Sequence, residues 1–303
     1  MPCRALRSRI SALQGRGAVN YLGLSLVGRL PRPLRAPLFV VAALIAAGYV
    51  LMAVWPSLFT SADPMHCELR LSGAGPAPGH PFGFDMQGCD YFANVVHGAR
   101  PSIAIGLLVT AVTFVLAAVL GALAGYFGGI VDGVVSRIAD VVFGLPMIIA
   151  AIVVLNLFEE RTIWTVSLVL IVFGWPGGMR YMRGSVLKIR NLEYVQAARV
   201  LGGSHLRIMG THIAPNALTS LIVLKTLEIG GVIAAEAALT FLGIGLQPPA
   251  ISWGLQLSTA QQQWQASPHL LVYPALFLTG AVLAFVVLGD SLRETLDPKG
   301  NHS

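Results

Sequence analysis

Charge is scarce in this chain. Only 11% of its 303 residues are Asp, Glu, Lys or Arg, against 55% hydrophobic, too few to give a soluble domain of this size a polar surface. With a positive mean hydropathy, that balance excludes an ordinary soluble protein. Cysteine is scarcer still: Cys3, Cys67 and Cys89 are the whole set, and no CxxC pair points to a thiolate metal site. No lysine follows a glycine, since Lys188, Lys225 and Lys299 follow Leu187, Leu224 and Pro298. That removes the GxxxxGK[ST] loop, whose amides and lysine cradle nucleotide phosphates. HExxH and GxSxG are missing and the seven histidines are scattered, so no hydrolytic site is expected. The chain is expected to hold no catalytic residue, no cofactor and no metal. Tandem repeats, a coiled coil and a low-complexity tail are also missing.

What is there is a series of long apolar windows. A hydrocarbon core of about 30 Å takes roughly 20 apolar residues at about 1.5 Å each. Six windows qualify: 37–59, 102–127, 138–158, 163–181, 216–242 and 269–288. The expectation is an all-α polytopic membrane protein with about six transmembrane helices. A basic segment (1–36) precedes the first span (37–59) and an extracytoplasmic loop (60–100). Residues 101–290 hold five more spans and an internal loop (191–215), and a tail (291–303) ends the chain. The first 36 residues carry seven arginines and no acid. They resemble the start of a secretion signal, but the apolar run begins late, is long, and shows no small-residue cleavage site before Trp55-Pro56, so it is expected to be retained.

Basic residues are kept on the cytoplasmic side of short loops. With the N-terminus inside, six spans place sixteen of the 20 basic residues there, and both termini are expected in the cytoplasm. The formal charge of +6 therefore reads as a topology signal and not as a nucleic-acid footprint. In the outer loop, rich in Pro and Gly (GAGPAPGHPFG), Cys67 and Cys89 could join in an oxidising compartment or remain free thiols.

The internal loop reads EYVQAARVLGGSHLRIMGTHIAPN from Glu193 to Asn216. Asn191 can cap a helix whose first turn contains Glu193, a carboxylate suited to the positive end of the helix dipole. Glu193, Ala197 and Leu201 then share one side with Ala198 beside them, two small residues that would let another molecule approach closely. Gly202-Gly203 should end this helix. Ser204 can cap a second, running to about Ile213, and Pro215 fits the first turn of the next span.

Glu193, Ala197, Ala198, Gly202 and Pro215 match the spacing of the cytoplasmic EAA loop of bacterial ABC importer permeases. The wider string resembles the dipeptide, oligopeptide and nickel branch, specifically its C-type subunit. Supporting strings are HPFGFD (80–85), HGARPSIAIGLL (97–108), EAALTFLGIGLQPPAISWG (236–254) and GDSLRETLDPKG (289–300). The resemblance implies a type I ABC importer permease fold in a bacterial inner membrane. It also implies a second, homologous permease, two ABC ATPase subunits that hold ATP and Mg, an extracytoplasmic binding protein, and a di- or oligopeptide cargo. Nickel is the alternative cargo, and a secondary transporter the more distant alternative. By the match, Glu193, Tyr194, Ala197, Ala198, Gly202 and Pro215 form or shape the contact with an ATPase.

Charges inside spans are costly and so become functional candidates. Lys225 and Glu228, three apart, could pair on one face, and Glu236 follows on roughly the same side. They belong either to a pathway that meets a peptide's charged termini or to helix packing. One string departs from the family pattern: LGTDxxGRD is replaced by FGFDMQGCD, which puts Phe84 at the threonine position and Cys89 at the arginine position.

Overall fold

The computed structural model describes residues 37–296, and within them the chain is helical, with only isolated β-bridges in the loop after the first helix. The basic segment 1–36 and the last seven residues, with the topology expected of them, lie outside the described residues. Ten helices follow in order: α1 Pro37–Val54, α2 Tyr91–Phe127, α3 Gly129–Phe143, α4 Met147–Leu155, α5 Ile163–Ile189, α6 Glu193–Val200, α7 His205–Ile208, α8 Ala214–Phe241, α9 Trp253–Ala260 and α10 His269–Leu296. Five helical stretches are long and apolar enough to cross a membrane, or six if a bent pair counts as one span.

That pair is α3 and α4, and it corrects the expectation of a single third span at 138–158. The two helices meet at 82° across Gly144-Leu145-Pro146, where proline cannot continue the ladder and glycine loosens it. α3 is also more polar than a lipid-facing helix: Asp132 accepts from Arg183 of α5 at 2.5 Å and Asp140 from Arg180 at 2.7 Å, while the Arg180 guanidinium lies 4.4 Å from the Phe143 ring centroid. α4 instead packs Ala151 and Leu155 against Val166 and Leu170 at the other end of α5. The pair thus runs the length of α5, as one broken span.

The second helix differs too, starting at Tyr91 and not after Arg100. Asp90 caps it by accepting from Ala93 N at 2.7 Å, and its first turns are covered by protein. Trp253 Nε1 donates to Val95 O at 2.9 Å and Gln256 Nε2 to Asn94 O at 2.7 Å. A hydropathy window finds only the part of a helix that lipid covers, so polar turns buried by α9 escape it. With a length of about 55 Å, α2 extends beyond a bilayer.

α2 and α5 form the most extensive helix contact, because two glycines let their backbones approach. A Cβ on Gly121 would lie 2.6 Å from Met179 O, and one on Gly125 would lie 2.9 Å from Arg183 O. Such close approach is how helices associate where lipid removes the hydrophobic drive. α8 packs on α2, α5 and α10, and α1 closes on α2 and α10, with Tyr49 edge-on to Trp253 at 5.7 Å. One end of the bundle carries residues 55–90 and α9, here the disulfide end; the other, the Gly202 end, carries α6, α7 and the C-terminus of α2. The described ends of α1 and α10 leave on the Gly202 side.

Gly121→Val should wedge α2 from α5 and cost about 2 kcal/mol, seen as a lowered melting temperature of the purified protein in detergent. An unchanged melt would refute the close contact.

Candidate functional site

At the Gly202 end, α6 is set at an angle to the spans by two anchors beneath it. Arg190, just past α5, donates from Nη1 to Gly125 O at 2.7 Å and Tyr126 O at 3.2 Å, gathering the otherwise unpaired carbonyls at the end of α2. Val195, Ile208 and Ile213 are wholly buried among Tyr126, Met182, Val186 and Leu221. Tyr126 Oη and His205 Nδ1 add a hydrogen bond of 2.9 Å.

The cap is not the one expected. Asn191 turns back to donate to Leu187 O at 3.1 Å, because α5 continues close to it, and Leu192 stands at the N-cap without a side-chain bond. The break is as expected: Gly202 has φ +79° and Gly203 N donates to Ala198 O at 3.1 Å. A Cβ on Gly202 would touch nothing within 4 Å, so the residue is needed for its left-handed backbone. Ser204 accepts from Arg207 N at 3.4 Å and caps α7. α7 does not stop before the next span. A π-helical turn, Met209–Ile213, joins it to α8, so helix runs from His205 to Phe241, with Pro215 just after that turn, where the α-helical ladder is already interrupted.

The structure brings together Glu193, Tyr194, Ala197 and Gly202 as an exposed surface. Among the described residues the Glu193 carboxylate has no hydrogen bond or ion pair. Tyr194 Oη accepts from Asn216 Nδ2 at 3.5 Å, which ties α6 to the start of α8. Ala198 is turned inward against the buried cluster, so the open face presents one small residue and not two. The sequence put Leu201 on the Glu193 side but gave no notice of Val200 and Leu206, which with it dominate the apex: Val200, Leu201 and Leu206 are 87%, 86% and 85% exposed, flanked by Arg199 and Arg207. The signal was three large aliphatics around Gly-Gly in a stretch too short to bury them. The rest of the described chain leaves all three uncovered.

Lys225 and Glu228 do pair, at 2.5 Å, and Lys225 Nζ also donates to Thr113 Oγ1 of α2 at 3.2 Å. Glu236 is separate from them. It is fully buried, accepting from Ser102 Oγ at 3.1 Å and Thr240 Oγ1 at 2.9 Å, while Thr240 Oγ1 accepts from Leu246 N at 3.1 Å. These bonds tie α8 to α2 and to the turn that follows α8.

At the disulfide end, Cys67 and Cys89 are bonded, which accounts for the cysteine that replaces arginine in FGFDMQGCD. Asp85 accepts from the amides of Gln87 and Cys89 at 2.8 Å each. Burial raises its carboxyl above the ordinary range, opposed by those backbone bonds. His80 hydrogen-bonds Asp90. The disulfide forms part of the wall of a cavity of about 450 Å³ between this loop and α9, with Asp85, Asn94 and Gln256 also lining it.

Comparison with known proteins adds a family match, two relatives and one solved structure. Residues 117–301 match the family described as binding-protein-dependent transport system inner membrane component. The glutathione transport system permease protein GsiD of Salmonella typhimurium is 37% identical over 262 residues, covering 85% of this chain and 86% of the relative. GsiD of Escherichia coli O157:H7 is 35% identical over 264 residues, or 87% and 85%. A crystal structure of an amino acid ABC transporter with histidines shares the fold, with a TM-score of 0.53 at 15% identity, over 66% of this chain and 92% of that one.

The disulfide closes a loop across a sequence separation of 22, which constrains the unfolded chain by roughly 3 kcal/mol. Replacing Cys67 and Cys89 together by Ser should speed protease cleavage of the 60–90 loop in folded protein, with α2–α10 left intact. Equal cleavage rates would show that the bond contributes nothing there.

Proposed function

This chain belongs to the family of inner-membrane components of binding-protein-dependent transport systems, and from that premise we propose how it works as the permease subunit of an ATP-driven importer. The subunit pairs with a second, homologous permease, each lining half of the pathway. Two ATPase subunits, which hold ATP and Mg, sit under the Gly202 end in the cytoplasm, where both termini also lie. A binding protein delivers solute at the disulfide end, outside the cell.

The observation that carries this reading is the apex of the internal loop. Val200, Leu201 and Leu206 stand in water beside two arginines and an unpaired Glu193, on a base fixed by Arg190 and by the buried Val195, Ile208 and Ile213. An apolar knob with a charged rim is what a groove on a partner takes up. The knob is tied to its own subunit, since helix continues from His205 through the π-helical turn into α8. When ATP draws two ATPases together, force on the knob becomes tilt or rotation of α8, a rigid-body switch between access states. Glu193, Tyr194, Ala197 and Gly202 make or frame the contact, and Ala198 and Pro215 shape it from beneath.

For the cargo we infer a short peptide. The relatives are named for glutathione, itself a tripeptide, and this supports a di- or oligopeptide range. Radiolabelled dipeptide and nickel, offered to the complete complex, separate the two cargoes of the branch. Dipeptide uptake is expected, and nickel uptake alone would overturn the peptide reading.

Glu193→Lys reverses a rim charge and Gly202→Val forces a β-branched residue into a left-handed turn at about 1–2 kcal/mol. Each should reduce uptake at least tenfold, with normal amounts of protein in the membrane and loss of co-purifying ATPase subunits. Normal uptake with both changes would leave the loop a purely structural element.

A further inference from the structure

One ion pair within the spans has no part in coupling. Lys225 and Glu228 lie near the middle of α8, whose 28 residues extend about 42 Å, and the two partners are not equally enclosed. The Lys225 side chain is 3% exposed and that of Glu228 is 35%. The lysine is fixed by Thr113 and by a notch at Gly178, where a Cβ would come 2.7 Å from its Cε. The carboxylate opens onto a side of α8 that α2, α5 and α10 leave uncovered. Gly231 and Ala234 are exposed along that side, and a Cβ on Gly231 would meet nothing within 4 Å.

A half-open carboxylate at that depth cannot be turned to hydrocarbon, because exposing a charge there costs several kcal/mol. The open side must face water or protein. We propose that the strip Glu228, Gly231 and Ala234 lines the translocation pathway, and that Glu228 receives the cationic group of the solute, the ammonium of a peptide's amino terminus being the chemistry that fits. Lys225 offsets part of the carboxylate's charge while the pathway is empty, but it is buried behind Glu228, so the open side still presents the negative end of the pair. Pinned by Thr113 and Gly178, it stays in place as the solute arrives and competes for the same oxygens. That competition keeps binding weak, as a site that must release its cargo requires. Gly231 and Ala234 leave width for the rest of the molecule beside the carboxylate.

The proposal rests on the importer reading, and the test reads the two separately. In a Cys3→Ser background, Gly231→Cys is placed in the complete complex, with both permeases, the ATPases and the binding protein, in proteoliposomes. It is then treated with methanethiosulfonate reagents of equal size, one cationic and one anionic. Modification by both is expected, with a cationic preference of about tenfold that Glu228→Gln abolishes and that added dipeptide with ATP slows. The double variant Lys225→Met/Glu228→Gln leaves no unpaired buried charge, so it guards against misfolding, and it too should lose the preference. An unmodified cysteine would mean the strip is sealed by protein or lipid, and a preference that survives both variants would mean Glu228 does not face the path. Either result overturns the proposal. In the same vesicles Glu228→Gln should lower dipeptide uptake at least tenfold while the loaded binding protein still stimulates ATP hydrolysis; unchanged uptake also overturns it. A parent complex that takes up no dipeptide counts against the peptide importer reading, while the labelling still decides the strip.

Discussion

The approach of α2 to α5 through Gly121 and Gly125 is the contact on which the rest of the structure depends. In lipid, apolar side chains gain little by leaving their surroundings, so helices must hold each other by close backbone packing and a few polar bonds. Once these two are in register, the last carbonyls of α2 lie where Arg190, at the end of α5, can gather them. That bond sets the exit angle of the chain toward α6. Farther along the same pair, Thr113 and Gly178 form the recess that holds the Lys225 side chain. Widening the α2–α5 gap would disturb the base of the internal loop and the Lys225–Glu228 ion pair together.

The internal loop at the Gly202 end combines a fixed base with an open top. Its base is apolar and sealed, with Val195, Ile208 and Ile213 buried, while its top is a glycine turn that touches nothing. The π-helical turn at Met209–Ile213 lies where the loop becomes membrane helix, and there the Thr211 hydroxyl donates to Arg207 O. A wider turn of this kind has a looser hydrogen-bond ladder than the α-helix on either side, so it is the natural place for α8 to change pitch without breaking.

Much of this was legible in the residues. Five of the six apolar windows became helices, the Gly202 stop and the Ser204 cap stand where their chemistry puts them, and Lys225 reaches Glu228 three residues on. The failures share a cause. Hydropathy sees lipid-facing surface, so it missed the first turns of α2, covered by Trp253 and Gln256, and it smoothed the Gly144–Pro146 bend into one span. Local propensity offered Asn191 as a cap but could not know that α5 would continue far enough to take its amide. Ala198 looked like surface because its neighbours in sequence are; only the fold turns it inward. Glu236 lay on roughly the same side as Glu228 by helical period, yet it is fully buried and bonded to Ser102 and Thr240. The Cys67–Cys89 bond remained open in the sequence because spacing alone does not say which loop residues meet.

The exposed apex has a consequence for the life of the subunit before assembly. Val200, Leu201 and Leu206 are uncovered in the subunit alone, so a subunit without a partner is left with an apolar knob that other apolar surfaces can bind. In the importer proposed above, the side chains that would bear on a partner are thus the ones that a lone subunit leaves bare.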